Sequence, residues 1–297
     1  MKIDIITAPV NIGSGKQGAQ DGPETLLKAG VTTWLNPHEC NIVAGCESHD
    51  PVLNIDDAAL HAVAAQCKSL RRAVVKSLSV GHLPLILGGD HSLTWGSLAG
   101  VMDLYPDAYC IYIDAHGDIN TYEGSPSGHV HGMCLSFLSG ICDVSTVVPE
   151  YTHPTIAPQR IKFYATRSLD PCEQDIINNH HLDVITSDNI LTHGVQTYTR
   201  QLEQWLDTDE VRHVHLSFDI DAIDPSLTPA TGVPEKEGIT VQDAVALIDT
   251  VLASGKTVAI DLVEFNPRLE GRDKTLDAWQ NIFNAIARSL SSRTSSK

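Results

Sequence analysis

The chain has 297 residues, of which 42% are hydrophobic and 19% charged. That is enough apolar material for a real core and excludes wholesale disorder. Lys+Arg number 20 against Asp+Glu 37, a net charge of −17; a field of that sign repels phosphate backbones, speaks against a nucleic-acid binder and suits a cationic small substrate.

No apolar run approaches the roughly 20 residues of a membrane span, so no membrane contact is expected. The first residues, MKIDIITAP, lack the long apolar core of a signal peptide and read as a strand. Strands are expected at 3–6, 41–44, 83–87, 109–113, 161–165, 183–186, 213–218 and 257–262, each short, rich in Ile, Val or Tyr and bounded by turn residues. Between them the pattern lengthens to helices. Asp21-Gly22-Pro23-Glu24 starts a short one, with Pro in the first turn. Over 56–79, Leu60, Val63, Cys67, Leu70, Val74 and Leu78 recur every three or four positions and Gly81 closes the stripe. Further helices are expected near 93–104, 171–180, 197–206, 240–254 and 275–291, followed by a polar, flexible tail over 289–297. Alternating strand and helix without a linker or repeat predicts one α/β domain over 1–297, with a mainly parallel sheet and helices between its strands. Cys40, Cys46, Cys67, Cys110, Cys134, Cys142 and Cys172 are scattered without C-x-x-C. That points to free thiols in the reducing cytoplasm.

Titratable residues follow the strands. Gly88-Gly89-Asp90-His91-Ser92 succeeds the third, Asp114-Ala115-His116-Gly117-Asp118-Ile119-Asn120 the fourth, Asp219-Ile220-Asp221 the seventh and Glu264-Phe265-Asn266-Pro267 the last. The carboxyl edge of a parallel sheet is where ligands bind. Asp114, His116 and Asp118 alternate, so an extended backbone would point all three one way. With His91, Asp219 and Asp221 they make six candidate ligands. A carboxylate-rich set with some imidazole suits Mn²⁺ better than Zn²⁺, and aspartates packed together call for a cation between them.

GGDHS, DAHGDINT, SPSGHVHG, SFDIDAIDP and VEFNP, in this order, resemble the ureohydrolase superfamily and most closely its arginases. The resemblance spans nearly the whole chain. It implies a single α/β domain whose mainly parallel sheet has eight strands and is flanked by helices, a binuclear Mn²⁺ cluster, two ions per subunit, and hydrolysis of L-arginine to L-ornithine and urea by a hydroxide bridging the ions. One ion would be held by His91, Asp114, Asp118 and Asp219, the other by Asp114, His116, Asp219 and Asp221. Asp118 would also orient the hydroxide. His131 matches the proton-shuttling histidine, for which an imidazole titrating near neutrality is suited. Glu264 matches the carboxylate that grips the guanidinium, Asn120 and Ser127 the donors to the α-carboxylate, and Asp170 the anion facing the α-amino group. His129 stands beside the carboxylate-binding segment where most arginases have Asn, and Val233 where most have Thr. The family also implies a homo-oligomer, trimer or hexamer, although Gln242 replaces a common interface arginine. Another guanidino or formimino substrate (agmatine, a guanidino acid, formiminoglutamate) and a catalytically silent metal-binding partner are the alternatives.

Two further motifs carry less. Gly13-Ser14-Gly15-Lys16-Gln17-Gly18 fits G-x-G-x-x-G, but it follows no strand at once and opens no helix, and Glu39 precedes the next strand instead of ending it. It reads as a flexible loop near the site entrance. His180-His181 precedes a strand, at the opposite sheet edge, and reads as solvated.

Overall fold

The computed structural model describes residues 2–35, 40–45 and 57–294. Glu39 and Cys46 lie outside these. Eight strands pair into one sheet: β1 (Ile3–Ala8), β2 (Cys40–Ala44), β3 (Leu83–Gly88), β4 (Tyr109–Ile113), β5 (Ile161–Thr166), β6 (Asp183–Thr186), β7 (Val214–Asp219) and β8 (Thr257–Val263). Their order is β2-β1-β3-β8-β7-β4-β5-β6 and every pairing is parallel. All eight therefore end at the same edge. The strands that carry the titratable motifs, β3, β8, β7, β4 and β5, are consecutive in the sheet, so residues far apart in sequence emerge side by side.

The helices are α1 (Gly22–Ala29), α2 (Val31–Leu35), α3 (Asp57–Ser79), α4 (Thr94–Leu104), α5 (Cys134–Ser139), α6 (Pro171–His180), α7 (Ser187–His193), α8 (Val195–Leu206), α9 (Val241–Ala253) and α10 (Arg272–Thr294). The strands alternate their side chains between two cores. On β4, Tyr109, Ile111 and Ile113 enter one, while Cys110 and Tyr112 enter the other with α3, α4 and α5. The period of two is that of a sheet covered on both faces, which is why the strands read as almost unbroken apolar runs. The α3 stripe from Leu60 to Leu78 is buried as its spacing predicts. The tail expectation needs correction: residues 289–294 continue α10, where Leu290 closes onto the core. A small-residue, polar composition is overridden there by one apolar anchor at helical spacing. Among the described residues no helix is long and apolar enough to cross a membrane.

Helix α4 is buried from Thr94 to Met102 and packs against α3. The two backbones approach so closely that a Cβ on Gly96 would lie 2.6 Å from the carbonyl oxygen of Cys67. Helix propensity alone favours Ala over Gly by about 1 kcal/mol in a helix interior. Here the clash is with backbone, which cannot rotate away, and overpacking of this kind costs about 1–3 kcal/mol. Gly96→Ala is therefore expected to destabilise the protein by about 1 kcal/mol or more, seen as a lower urea midpoint. A midpoint at or above that of the parent would show that α3 and α4 separate freely.

Candidate metal centre

Asp114 follows β4 directly, and the chain then turns instead of running on extended. Asp114 Oδ1 accepts the amide N–H of His116 at 2.6 Å, and Asp118 sits in the left-handed region at φ 49°. The expected alternation thus gives way to a tight turn, which brings His116 and Asp118 round to opposite sides of Asp114. Asp219 ends β7 and accepts the amide of Asp221 at 2.8 Å, the same device on the neighbouring strand. His91 comes from the short turn after β3, capped by Asp90, whose carboxylate accepts N–H groups of Ser92 and Gly13.

These residues meet in two compact groups. His91, Asp114 and Asp219 form one, and Asp114, His116 and Asp221 the other, each with one ligand atom per residue within 4.8 Å of the others. Asp114 belongs to both. His91 Nδ1 lies 2.8 Å from Asp114 Oδ2, 3.1 Å from Asp219 Oδ2 and 3.3 Å from Asp118 Oδ2. His116 Nδ1 lies 3.4 Å from Asp114 Oδ1 and 3.2 Å from Asp221 Oδ2. His91 Nδ1 and Asp114 Oδ2 face each other yet neither has a hydrogen bond of sound geometry, as expected of two lone pairs aimed at one point. The donor set is four carboxylates and two imidazoles, which fits hard or borderline divalent cations.

The electrostatics point the same way. Burial, then the neighbouring carboxylates, push Asp219 and Asp221 above the usual carboxylate range and Asp118 up to about 7. Burial acts on Asp114 too, but His116 and His91 outweigh it and hold Asp114 below that range. Burial opposes charging of both imidazoles and the flanking carboxylates overcome it, drawing His91 and His116 toward the protonated state. Bound cations would displace those protons.

A cleft of about 230 Å³ opens above the two groups. His116, Asp118, Asp219 and Asp221 lie among its lining, with Glu264 and His131. Glu264 leaves β8 in the left-handed region at φ 64°, a strain that in a non-glycine residue costs about 1–3 kcal/mol and is tolerated where the surroundings fix it. Its Oε1 accepts the amide of His91 at 2.8 Å and contacts His131 Nδ1 at 2.9 Å. Its Oε2 lies on the side of Gly232. Burial disfavours an imidazolium at His131, but the hydrogen bond and charge of Glu264 win and raise it to about 9; the same pair keeps Glu264 below its ordinary range against burial.

The lining also includes Asn120, Ser127, His129, Asp170 and Val233. Asn120 Nδ2 donates to Asp170 Oδ2 at 2.9 Å, so the two are tied together, and Asn120 Oδ1 is buried without a partner. Ser127 is exposed and His129 half-buried. The loop over 13–18 is not free: Gly13 accepts the His131 amide at 3.1 Å, and a Cβ on Gly15 would meet the His129 ring at 2.3 Å. It opens no α-helix directly: a single 3-10 turn over Ala19–Asp21 follows Gly18, and α1 starts at Gly22. His180 and His181 end α6, ahead of β6 and away from the cleft.

Three neighbours of this site escaped the sequence. Tyr112 stacks on His91 at 4.5 Å and donates to Asp118 Oδ2 at 2.6 Å. Glu173 accepts the amides of Ile119 and Asp170 at 3.1 and 2.9 Å, bracing the loop after β4 against α6. Its position three residues after Asp170 and two after Pro171 is the capping-box spacing, a signal that was available. Glu235 also lines the cleft.

The match to the model of the Arginase family covers residues 1–287. The chain belongs to the arginase family. It is an enzyme, a hydrolase of the ureohydrolase type. It is 33% identical to an arginase of Xenopus laevis named non-hepatic 2, over 94% of this chain and 80% of that one. The native arginase of Bacillus caldovelox shares the fold with a TM-score of 0.86 and 31% identity, over 96% of this chain and 98% of that one. An Entamoeba histolytica arginase in complex with L-ornithine superposes with a TM-score of 0.85 and 30% identity, over 95% and 98%.

The Glu264–His131 contact generates a prediction. In the metal-free protein His131 should titrate near 9. Replacing Glu264 with Gln removes the largest of the raising charges, so burial, opposed then only by Asp118 and Asp90, should draw the imidazole down from there toward its ordinary value of about 6.5. Because the raised value belongs to the folded state, the stability from this pair is complete below about 6.5 and is lost as the pH climbs toward 9. Imidazole NMR and urea melts across that range read both effects. An unchanged His131 titration in Glu264→Gln would remove the pair as the cause.

Proposed function

We propose that this chain hydrolyses the guanidinium group of L-arginine to L-ornithine and urea, using two Mn²⁺ per subunit. The observation that carries the reading is the pair of ligand groups sharing Asp114 at the floor of a cleft whose wall is Glu264. His91, Asp114, Asp118 and Asp219 would hold one ion, and Asp114, His116, Asp219 and Asp221 the other. When bound, two such cations supply the Lewis acidity that makes water a nucleophile near neutral pH.

The protein's own groups then divide the work. Glu264 Oε2 receives the planar guanidinium, a cation well suited to a carboxylate fork. Asp118 accepts a hydrogen bond from the attacking water and turns its lone pair toward the guanidinium carbon. As the bond from that carbon to the departing nitrogen breaks, the amine needs a proton. His131, held as an imidazolium by Glu264, has one to give. At the rim Asp170 faces the α-ammonium, and Asn120, Ser127 and His129 offer neutral donors to the α-carboxylate. The fold neighbour from E. histolytica was crystallised with L-ornithine, the amine product of this reaction. Cys110, Cys134, Cys142 and Cys172 are free thiols, which supports a cytoplasmic setting. A trimer or hexamer belongs to the same reading.

The test is urea release by purified, Mn²⁺-loaded protein on L-arginine, agmatine, guanidinobutyrate and formiminoglutamate. L-Arginine should be turned over best, chelation should abolish the activity and Mn²⁺ should restore it. Preference for another member of the panel, or no urea from any, would refute the reading. His131→Asn should lower kcat about 10²–10⁴-fold, the usual share of a general acid, with two Mn²⁺ still retained. Asp118→Ala should lower metal retention and rate together.

A further inference from the structure

The two imidazoles of the metal centre are not supported alike. His91 presents Nδ1 to its carboxylates, and its other nitrogen, Nε2, lies 2.8 Å from Ser217 Oγ. That contact fixes the tautomer, since Nε2–H donates outward and the Nδ1 lone pair stays inward. His116 also presents Nδ1 to its carboxylates, but its Nε2 is buried with no hydrogen-bond partner. A buried imidazole nitrogen of this kind is costly and leaves ring orientation unspecified. Among the described residues, the carboxylate oxygen within 4 Å of that nitrogen is Glu235 Oε1, at 3.9 Å.

The backbone beneath Glu235 is anchored to the same centre. Arg167 Nη2 donates to Asp221 O at 2.7 Å and to Glu235 O at 2.9 Å. Its Nε donates to Lys236 O at 2.9 Å and its Nη1 to Ala222 O at 3.1 Å. One half-buried guanidinium thus rivets the segment carrying Glu235 to the segment carrying Asp221, the carboxylate on the inner side of His116. The side chain itself keeps room to move, being 37% exposed. At 3.9 Å the pair is a charge contact and not a hydrogen bond, and closing it takes a side-chain adjustment of about 1 Å.

We infer that Glu235 is a positioning residue for the metal centre: its carboxylate accepts the Nε2–H of His116 and thereby aims Nδ1 at the cation shared with Asp114 and Asp221. The inference rests on the two-ion reading above. It assigns Glu235 to the outer partner of a ligand, not to the substrate or the reacting atoms.

Mn²⁺ titration of the chelator-stripped full chain, followed by electron paramagnetic resonance and by metal content, tests it. Three substitutions separate reach from charge. Glu235→Ala loses both, Glu235→Asp keeps the charge but is shorter, and Glu235→Gln keeps an acceptor oxygen at full reach without the charge. Wild type should bind two ions. Ala and Asp should weaken the second about 10–100-fold, the usual penalty for losing such a partner, while Gln stays within about threefold. The spectrum of the coupled ion pair should be lost in Ala and Asp at Mn²⁺ levels that restore it in Gln. Wild-type affinity for both ions in Ala and Asp would overturn the inference while leaving the two-ion reading intact. Gln weaker than Asp would overturn it as well, by making charge and not the accepted hydrogen bond the cause. Fewer than two ions in the wild type would bring down both. The comparison of Gln with Asp decides even if Ala does not fold.

Discussion

Four aspartates buried around two imidazoles set the condition that the rest of this structure satisfies. Asp114, Asp118, Asp219 and Asp221 are each at most 6% exposed and share one small volume. Such a crowd resists ionisation, and three of the four are pushed toward the neutral form by burial and by one another. Only a stiff frame can hold like charges together until a cation offsets them. The frame is the run β3-β8-β7-β4-β5 in a wholly parallel sheet, with β7 at its middle. Parallel pairing matters because it sends every strand end to one edge. A reversed β7 would carry Asp219 and Asp221 to the far side of the molecule.

Stiffness also comes from below. His91 leads through Ser217 Oγ to Thr94 Oγ1 at 3.3 Å, and Thr94 donates to Asp261 Oδ2 at 3.0 Å. The same oxygen receives Ser97 Oγ at 2.5 Å and pairs with His215 Nε2 at 2.9 Å. The chain of contacts joins α4, β7 and β8 without reaching solvent. Polar groups buried this deeply are costly unless partnered; partnered, they specify one arrangement. They also explain why α4, apolar enough to be swallowed whole, carries Thr94 and Ser97 in its first turn. Those hydroxyls face the sheet and fasten it, through Ser217, to His91.

The sequence showed the elements more fully than their neighbours. Strand limits were legible because runs buried on both faces are apolar at most positions, and α3 because its stripe is a strict three-and-four repeat. Strand order was not legible: nothing local in β7 or β8 says that they insert between β3 and β4. The ligand-type residues stood out because His and Asp recur at several strand ends, a pattern that loop chemistry alone does not produce. Their geometry was less visible. Asp118 reaches the site through a left-handed turn that the sequence disguises as simple alternation. Tyr112 reads as one more core aromatic, and Glu235 as one more surface charge, because each acts only through a partner distant in sequence. The end of α10 was legible only to 291, because its last residues are polar and small and carry no apolar stripe beyond Leu290.

The cleft also orders its protons. Glu264 has two oxygens and two tasks: Oε1 holds the His91 amide and His131, and Oε2 is left toward the cavity. In the proposed reaction a guanidinium on Oε2 and an imidazolium on Oε1 compete for one negative charge, so substrate binding weakens the hold on the His131 proton at the moment it is needed. Once the proton has gone to the departing amine, the empty Oε1 side favours taking another. On that side of the cleft stands His129, its ring 5.8 Å from that of His131. Burial, and then His131 itself, hold His129 below the ordinary histidine range, so in the interval between its own titration and that of His131 it is neutral while His131 is charged. A neutral imidazole beside a charged one can donate to a carboxylate without adding to the positive charge next to His131. The fixed loop over 13–18 presses on that ring, and its glycine at position 15 leaves the space the ring occupies. The two histidines are thereby kept in different charge states by their neighbours, one by a carboxylate and the other by burial and the first.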